Sequence, residues 1–546
     1  MRRMRGLALL LATLLAVAWA CGSGEKERAA RTPAADATVP DGGGETDAAP
    51  GDAAAVADGE GGPDDAGPGA HDGPALGDGG AGADDGGATD GALTADTGRD
   101  AGPQPVPPFP RGLPATERLG EPHGYRLARA IIHIHSIFSH DACDGHPVVA
   151  GQPDEECLQD LRRALCTDRI DFAMMTEHYD LMARTLDFDL LFLQRDGDRW
   201  VDEGGRHSAN AVRCPDGHTP LVMPGLEGGD GQVSPIGITG HPVDGTPEQI
   251  EAAYKDVSPE GVGRMRAHDA VPVAIHIEGQ DTEWLATTDL DAVEIGNLHV
   301  LVAPNYRTEL GLDPGKPALA FADYLMHPAD HPPPDLVFLE FHQRLPLYHE
   351  KWDALLARRM IAGFAGNDVH RNVLPALLGD GDRPDSYRRM MKYYVNHLLV
   401  RDKTPAEART ALARGRLYMV FEVLGSPVGF DFWAERANDG EVRVMGEVAD
   451  SGGDPSRVRL RATRPRALLS DAPTAVPVSL RLFRVTAAGS ELVAETDGEL
   501  DLPAPGPGRY RVELELTPLH LGPYLVGHEE LMRPYPWIYA NPIEVR

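Results

Sequence analysis

The chain has 546 residues, with 51 Lys and Arg against 84 Asp and Glu, and a formal net charge of −33. That length exceeds one ordinary domain. The acidic balance argues against nucleic acid as a partner, because phosphate backbones are neutralised by Lys and Arg.

Met1-Arg2-Arg3-Met4-Arg5 is positive, Leu7 to Trp19 is apolar, and Ala18-Trp19-Ala20-Cys21 follows. A charged start, an apolar stretch and small residues before a cut describe a secretory signal. Cys21 at the cut resembles the lipobox of bacterial lipoproteins, with Trp19 where a smaller residue is common. The alternative is an ordinary signal peptide over 1–21. The resemblance implies an acylated Cys21 and an exported chain held to a membrane by lipid. Gly22 and Ser23 carry no inner-membrane retention signal, so the outer membrane is expected, with the leaflet left open. Residues 22 to 108 are mostly Ala, Gly, Asp and Pro. Such a segment buries too little apolar surface to offset its ordering entropy. It reads as a tether of roughly 50 Å root-mean-square span. No second apolar run is long enough to cross a membrane.

With Cys21 set aside, Cys143, Cys157, Cys166 and Cys214 remain. An even number in an exported chain suggests disulfides, with three pairings open. Unpaired buried thiols and thiolate metal ligands are the alternatives, although no CxxC pair exists. A disulfide involving Cys143 would brace the loop after residue 135.

From Pro110 to about 425, short apolar runs alternate with helical stretches. Glu155 to Cys166 places Leu158, Leu161 and Leu165 at helical spacing, and the run Ile170 to Met175 follows. Pro259 to His268 reads as a helix and Val271 to Ile277 as a strand. Leu290 to Ile295 is a further strand. Pro346 to Arg359 reads as a helix, then Met360 to Ala365 as a strand. Thr404-Pro405-Ala406-Glu407 is a capped helix start. Alternating β and α elements favour a parallel sheet covered by helices. After Leu417, β-rich runs separated by Gly, Pro and Asp take over: Val458 to Ala462, Val478 to Val485, Glu491 to Glu495 and Tyr510 to Leu516. That is an antiparallel sandwich pattern. The expected organisation is an α/β unit over 109–434 and a small all-β sandwich over 435–546.

Several strand-like runs end in ligand-type residues. They are His133-Ile134-His135, Thr176-Glu177-His178, Gly225-Leu226-Glu227, Thr239-Gly240-His241, Ala274-Ile275-His276 and Asp368-Val369-His370. One HxH triplet means little, since a strand presents i and i+2 on one face. Imidazoles and carboxylates converging from many strand ends make a metal site. They favour a closed or nearly closed barrel, where strand ends meet.

In this order, the blocks resemble the PHP (polymerase and histidinol phosphatase) metallohydrolases over roughly residues 125 to 425. The resemblance implies a distorted (β/α)7 PHP-type barrel with two or three divalent metal ions (Zn, Mn or Fe). It implies one ion on His133, His135, Glu227 and Asp368, and a second on Glu227, His241 and His276, bridged by Glu227. A third would lie on Asp141, His178 and His370, with His140 the rival to Asp141. Glu177 stands where the family has Asp. Arg414 to Tyr418, Gly429 to Phe432 and Pro536 to Ile543 are similar to the exported, carbaryl-hydrolase-like branch, which carries a β appendage. The amidohydrolase superfamily also begins with HxH; the Asp-x-His ending favours PHP.

Two close divalent ions lower the pKa of a shared water and neutralise developing charge. The resemblance therefore implies hydrolysis of a small-molecule ester, with Glu227 and Asp368 central. Arg371 is the candidate for anchoring a substrate anion. Phosphoesters come first, carboxylesters, carbamates or amides second. A surface binding lipoprotein that turns nothing over is the reading from a different class. His299, after the strand end Glu294-Ile295-Gly296-Asn297, is expected near the pocket. Protein partners are not indicated.

Overall fold

The computed structural model describes residues 106–546; the signal, Cys21 and nearly all of the tether lie outside the described residues. The central strand is Arg126–Ile134, buried along all but its first residue. It pairs in parallel with Phe172–Met174 on one side and with Ala362–Val369 on the other. Phe172–Met174 continues in parallel to Leu221–Met223. Ala362–Val369 continues to Ala292–Asn297, and that strand to Val271–Ala274. Strands buried on both faces explain why these segments are near-continuous apolar runs rather than alternating ones. Ile132, Phe172, Met174, Met223, Val273 and Phe364 fill one core, closed by Ala408, Ala411 and Leu412 of the Pro405–Arg414 helix. That helix begins as the sequence predicts, with the Thr404 side chain accepting from the Glu407 N–H, and it ends at Gly415 with φ 72°. Ile131, Ile134, Ala173, Val293 and Ile295 face the opposite way, into the larger core.

The strand-end pattern predicts a closed or nearly closed barrel. The structure is a mixed α/β unit built on a 17-stranded sheet, and among the described residues its strands form no continuously paired closed barrel. From Leu221–Met223 to Ser234–Ile236 the pairing among the described residues falls to the isolated bridge Gly225–Ile236. Pro235 in that short strand has no N–H to extend a ladder.

The first strand also takes an antiparallel partner, Val395–Val400, along its first half. Where that strand diverges from Ala362–Val369, the Asn396 amide replaces the ladder. It accepts from Ala365 N–H at 2.9 Å and donates to Ala365 C=O at 2.8 Å. Leu417–Val420 follows in antiparallel order, and Tyr535–Ala540 pairs with it. Tyr535–Ala540 in turn pairs with Gly508–Leu516, and Gly508–Leu516 with Val478–Thr486. The C-terminal β strands therefore share backbone hydrogen bonds with the α/β sheet. A separate four-stranded sheet gathers Phe432–Arg436, Val442–Val444, Val458–Ala462 and Leu500–Pro503.

Asn541 secures this junction. Its buried amide accepts from Gly363 N–H at 2.7 Å and donates to Gly363 C=O at 2.8 Å and Leu417 C=O at 3.0 Å. Asn541→Ala leaves those buried backbone groups unpaired. We expect a loss of about 2–4 kcal/mol, read as a lower denaturant midpoint; an unchanged midpoint would remove Asn541 from this role.

Both disulfides expected as one of the alternatives are present, and they select one pairing: Cys143–Cys157 and Cys166–Cys214. The first ties the loop after His135 to the Glu155–Thr167 helix. Cys143 N–H also donates to His370 C=O at 2.9 Å, so this loop and the Asp-x-His end are held together.

Candidate metal centre

The strand ends are bent where the site residues leave them. Pairing of the first strand with Ala362–Val369 shifts between Ile132 and Ile134, and pairing of Ala292–Asn297 with Ala362–Val369 shifts between Glu294 and Gly296. Such bulges re-aim side chains. His133, His276 and Asp368 adopt φ of 64°, 48° and 55°. Left-handed backbone at a non-glycine residue costs about 1 kcal/mol or more. Three such residues converge on one point.

That point is defined by two carboxylates. Glu227 Oε2 lies 3.7, 3.2 and 3.3 Å from His133 Nε2, His135 Nε2 and His178 Nδ1. Glu227 Oε1 lies 3.2 Å from His276 Nε2. Asp368 Oδ1 lies 3.4 and 3.3 Å from His133 Nε2 and His135 Nε2 and 3.3 Å from His370 Nδ1, and Asp368 Oδ2 lies 3.4 Å from His276 Nε2. Beside them, Asp141 faces His178 Nε2 at 3.2 Å and His370 Nε2 at 3.5 Å. His140 instead pairs with Asp180 at the surface, although its ring could still join Asp141 and His178 around an ion.

Each inner imidazole is held from behind. Glu294 Oε1 sits 2.7 Å from His133 Nδ1 and Oε2 accepts from His276 N–H at 2.8 Å. Ser139 Oγ donates to Glu177 at 2.7 Å, so it accepts from His135 Nδ1 at 2.9 Å. Glu177 thus positions the His135 ring through Ser139. Glu278 Oε1 lies 2.9 Å from His276 Nδ1, while Tyr348 OH donates to its other oxygen. Carboxylates behind histidines fix ring orientation and raise ligand basicity. With Nδ1 committed in His133, His135 and His276, Nε2 is the atom left to face the centre.

Burial penalises charge throughout, but the pairing outweighs it at several groups. Burial works against a charged His133, yet Asp368 and Glu294 push it up to about 10. His178 is pushed up to about 9 by Glu227 and Asp141 against burial. Burial and the neighbouring His370 push His135 down to about 3. Glu227 and Asp368 are held well below the carboxylate range by the surrounding imidazoles, despite burial.

These residues fit a divalent cation. Nε2 of His133 and His135, Oδ1 of Asp141, Oε2 of Glu227 and Oδ1 of Asp368 are buried without a hydrogen-bond partner. Buried polar atoms are rarely left so, and here they aim at one another. His133, His135, Glu227 and Asp368 form one group able to hold an ion, and His135, His178, Glu227 and His370 form another.

Two expected site residues are placed elsewhere. His241 spends both ring nitrogens, one on Tyr254 OH and one on Thr185 C=O, each at 3.0 Å. Gly240-His241-Pro242 carries the ring to that packing contact, away from the cluster. Arg371 turns onto Glu156 and Asp160 of the Glu155–Thr167 helix at 3.5 and 3.4 Å, so its guanidinium is engaged by that helix. Glu294, Glu278 and Tyr348 were not singled out from the sequence. A carboxylate inside the apolar run Asp291-Ala292-Val293-Glu294-Ile295 was the available signal for the first of them.

Gly366 makes room for this arrangement. A Cβ there would lie 1.6 Å from Glu294 Oε1. Gly366→Ala must displace that carboxylate and release His133. We expect metal affinity to fall about 10–100-fold, measured by titration against a competing chelator; wild-type affinity would contradict the role given to Glu294.

Neither a protein-family model nor a curated protein matches the chain. Among solved structures, a two-domain protein of Bacteroides vulgatus ATCC 8482 containing a predicted PHP-like metal-dependent phosphoesterase is similar at 12% identity and a TM-score of 0.30. The match covers 76% of this chain and 95% of that one.

Proposed function

We propose that this protein is a metal-dependent hydrolase of small-molecule esters, with phosphoesters as the first substrate class. The observation that carries the reading is the facing pair Glu227 and Asp368, each offering one oxygen to the His133–His135 side and the other to His276. When bound, divalent ions supply Lewis-acid polarisation of an ester oxygen and an activated water. The chain holds their ligands rigid: Glu294, Glu278 and the Ser139–Glu177 pair keep the three inner rings aimed at the centre. Asp141, His178 and His370 add a third position, which supports an anionic substrate with several oxygens to hold.

One observation favours the second class, carboxylesters, carbamates or amides. Arg371, the guanidinium beside the last block, is engaged by Glu156 and Asp160. A neutral ester needs no such anchor. The deciding experiment is metal analysis of the purified protein joined to a screen of phosphate, carboxylate and carbamate esters. Chelator-sensitive phosphate release supports the first class. Turnover of carbamates or carboxylesters alone selects the second, and bound metal without any turnover would leave a binding protein.

We also propose export as a lipid-anchored protein. The two disulfides support it, since such bonds persist in oxidising compartments. Palmitate labelling that Cys21→Ala does not abolish would refute the anchor. Among the described residues no helix is long and apolar enough to cross a membrane.

A further inference from the structure

We propose that the ammonium of Lys351 is a fixed internal cation: it fills a cage of three backbone carbonyls and so positions the loops that carry His276 and Glu227. Lys351 is a positioning residue and no ligand, and the inference rests on the metal-hydrolase reading.

The residues after His276 form two consecutive turns. Gly279 N–H donates to His276 C=O and Gln280 N–H to Ile277 C=O, each at 3.2 Å. The turns bring the carbonyls of Ile277, Glu278 and Gln280 around one point. Lys351 Nζ fills that point and donates to them at 2.6, 2.9 and 2.6 Å. An ammonium has three donors and no acceptor, so its whole capacity goes to this loop. Carbonyl oxygens converging on one point repel one another unless a cation lies between them, and K+ is held by carbonyl rings on the same principle. An apolar side chain there leaves the three acceptors short of a donor.

The cage is tied to both sides of the centre. Lys351 lies three residues after Tyr348 on the Pro346–Leu356 helix, so the two side chains share a face. Tyr348 OH donates to the Glu278 carboxylate that backs His276, while Lys351 holds the backbone of the same residue. On the other side, Gln280 Oε1 accepts from Gly231 N–H at 2.7 Å, in the loop that leaves Glu227. The two loops pack closely, since a Cβ at Gly279 would lie 3.3 Å from Asp230 Oδ1. One ammonium therefore holds the loop after His276, and through Gln280 the loop after Glu227. The helix that presents it is itself secured. Trp352 Nε1 donates to Ile361 C=O at 3.3 Å, and Arg511 makes two bonds to Asp353, each at 2.7 Å.

The test is replacement of one cation by another. Full-length protein is depleted of divalent metal in a buffer whose only monovalent cation is tetramethylammonium, too large for the cage. Mn2+ affinity is then titrated against a competing chelator, with and without K+ or NH4+ at equal ionic strength. Wild type should bind alike in every buffer, because its cage is full. Lys351→Ala empties the cage. It should bind Mn2+ about 10–100-fold more weakly in tetramethylammonium, and K+ or NH4+ should restore most of the loss. Lys351→Met keeps the stem in place without the charge, so it should show the loss and neither cation should correct it. A side chain that only packed helix against loop would give no such cation-specific recovery. Wild-type affinity in Lys351→Ala, or a loss that K+ and NH4+ leave unchanged, overturns the proposal. Should Lys351→Ala fail to fold, Lys351→Met decides: lowered affinity supports the role and wild-type affinity overturns it. A wild-type protein that takes up no Mn2+ in any buffer would instead overturn the metal-hydrolase reading itself.

Discussion

Glu227→Gln is expected to abolish turnover, by at least ~10³-fold, or about 4 kcal/mol of transition-state stabilisation, and to strip the inner ions. The side chain faces His133, His135, His178 and His276 at once. The amide keeps the shape but removes the charge that counters buried cations. Asp368 would remain the sole inner carboxylate, too little for two divalent ions in a site with so little access to water. The pH behaviour follows from the same contacts. Glu227 and Asp368 stay ionised through neutral pH. His133 and His178 hold protons up to about 10 and 9 when no metal is present. An ion must displace those protons, so affinity should rise with pH below that range, about tenfold per unit for each proton released. Glu227→Gln weakens this dependence, because the rings it charged revert toward neutral. A variant with wild-type metal content and more than a tenth of the wild-type rate would sink the assignment, as would a pH-independent affinity in the wild type.

How legible this centre was in the sequence depends on the kind of residue. His133, His135, Glu227, His276, Asp368 and His370 stand at the ends of apolar runs, and the strands that carry them run parallel, so their ends meet. The pattern was visible because side-chain type and strand position coincide. His241 carries the same local signal, Gly before and Pro after, yet the ring faces Tyr254. Nothing within a few residues distinguishes a strand end that points to the centre from one that does not. The groups behind the ligands are harder still. Glu278 and Tyr348 meet across 70 positions, and that contact leaves no periodicity. The alternation of strands and helices was legible from apolar spacing and caps such as Thr404. The thinning of the pairing to the single bridge Gly225–Ile236 was not. The return of Tyr535–Ala540 to Leu417–Val420 was equally hidden, because antiparallel pairing over that distance is decided by packing. Four cysteines allowed three pairings, and proximity in the fold chose one.

The largest expected effect on stability lies four residues before the site, at Arg129. Its buried guanidinium makes a bidentate pair with buried Glu422, at 2.6 and 2.8 Å. It also donates to the carbonyls of Pro114, Asp168 and Arg169. His397, opposite Arg129 in the ladder, faces the same carboxylate at 3.1 Å. Arg129→Met leaves Glu422 buried with a weaker partner, and we expect a loss of about 3–5 kcal/mol. Burial opposes the charge on Glu422, but Arg129 and His397 hold it well below the carboxylate range. A depressed folded-state pKa gives stability that is present above the unfolded value, about 4.3, and is lost as pH falls toward the folded one. In the variant only His397 is left to counter the charge, so Glu422 takes up a proton more readily and this contribution shrinks. The gap between wild type and variant should therefore be widest at neutral pH and narrow below about pH 4. Arg129→Met with Glu422→Gln should recover part of the loss, since the uncompensated charge is gone while the three carbonyls stay unpaired. Chemical denaturation at pH 7 and pH 4 measures all three proteins. A gap under about 1 kcal/mol at pH 7, or one that does not move with pH, would show that the pair does not hold the strand. If it does, the same pair anchors the base of the strand that ends in His133 and His135. The strained backbone at His133 then has a fixed support to be strained against.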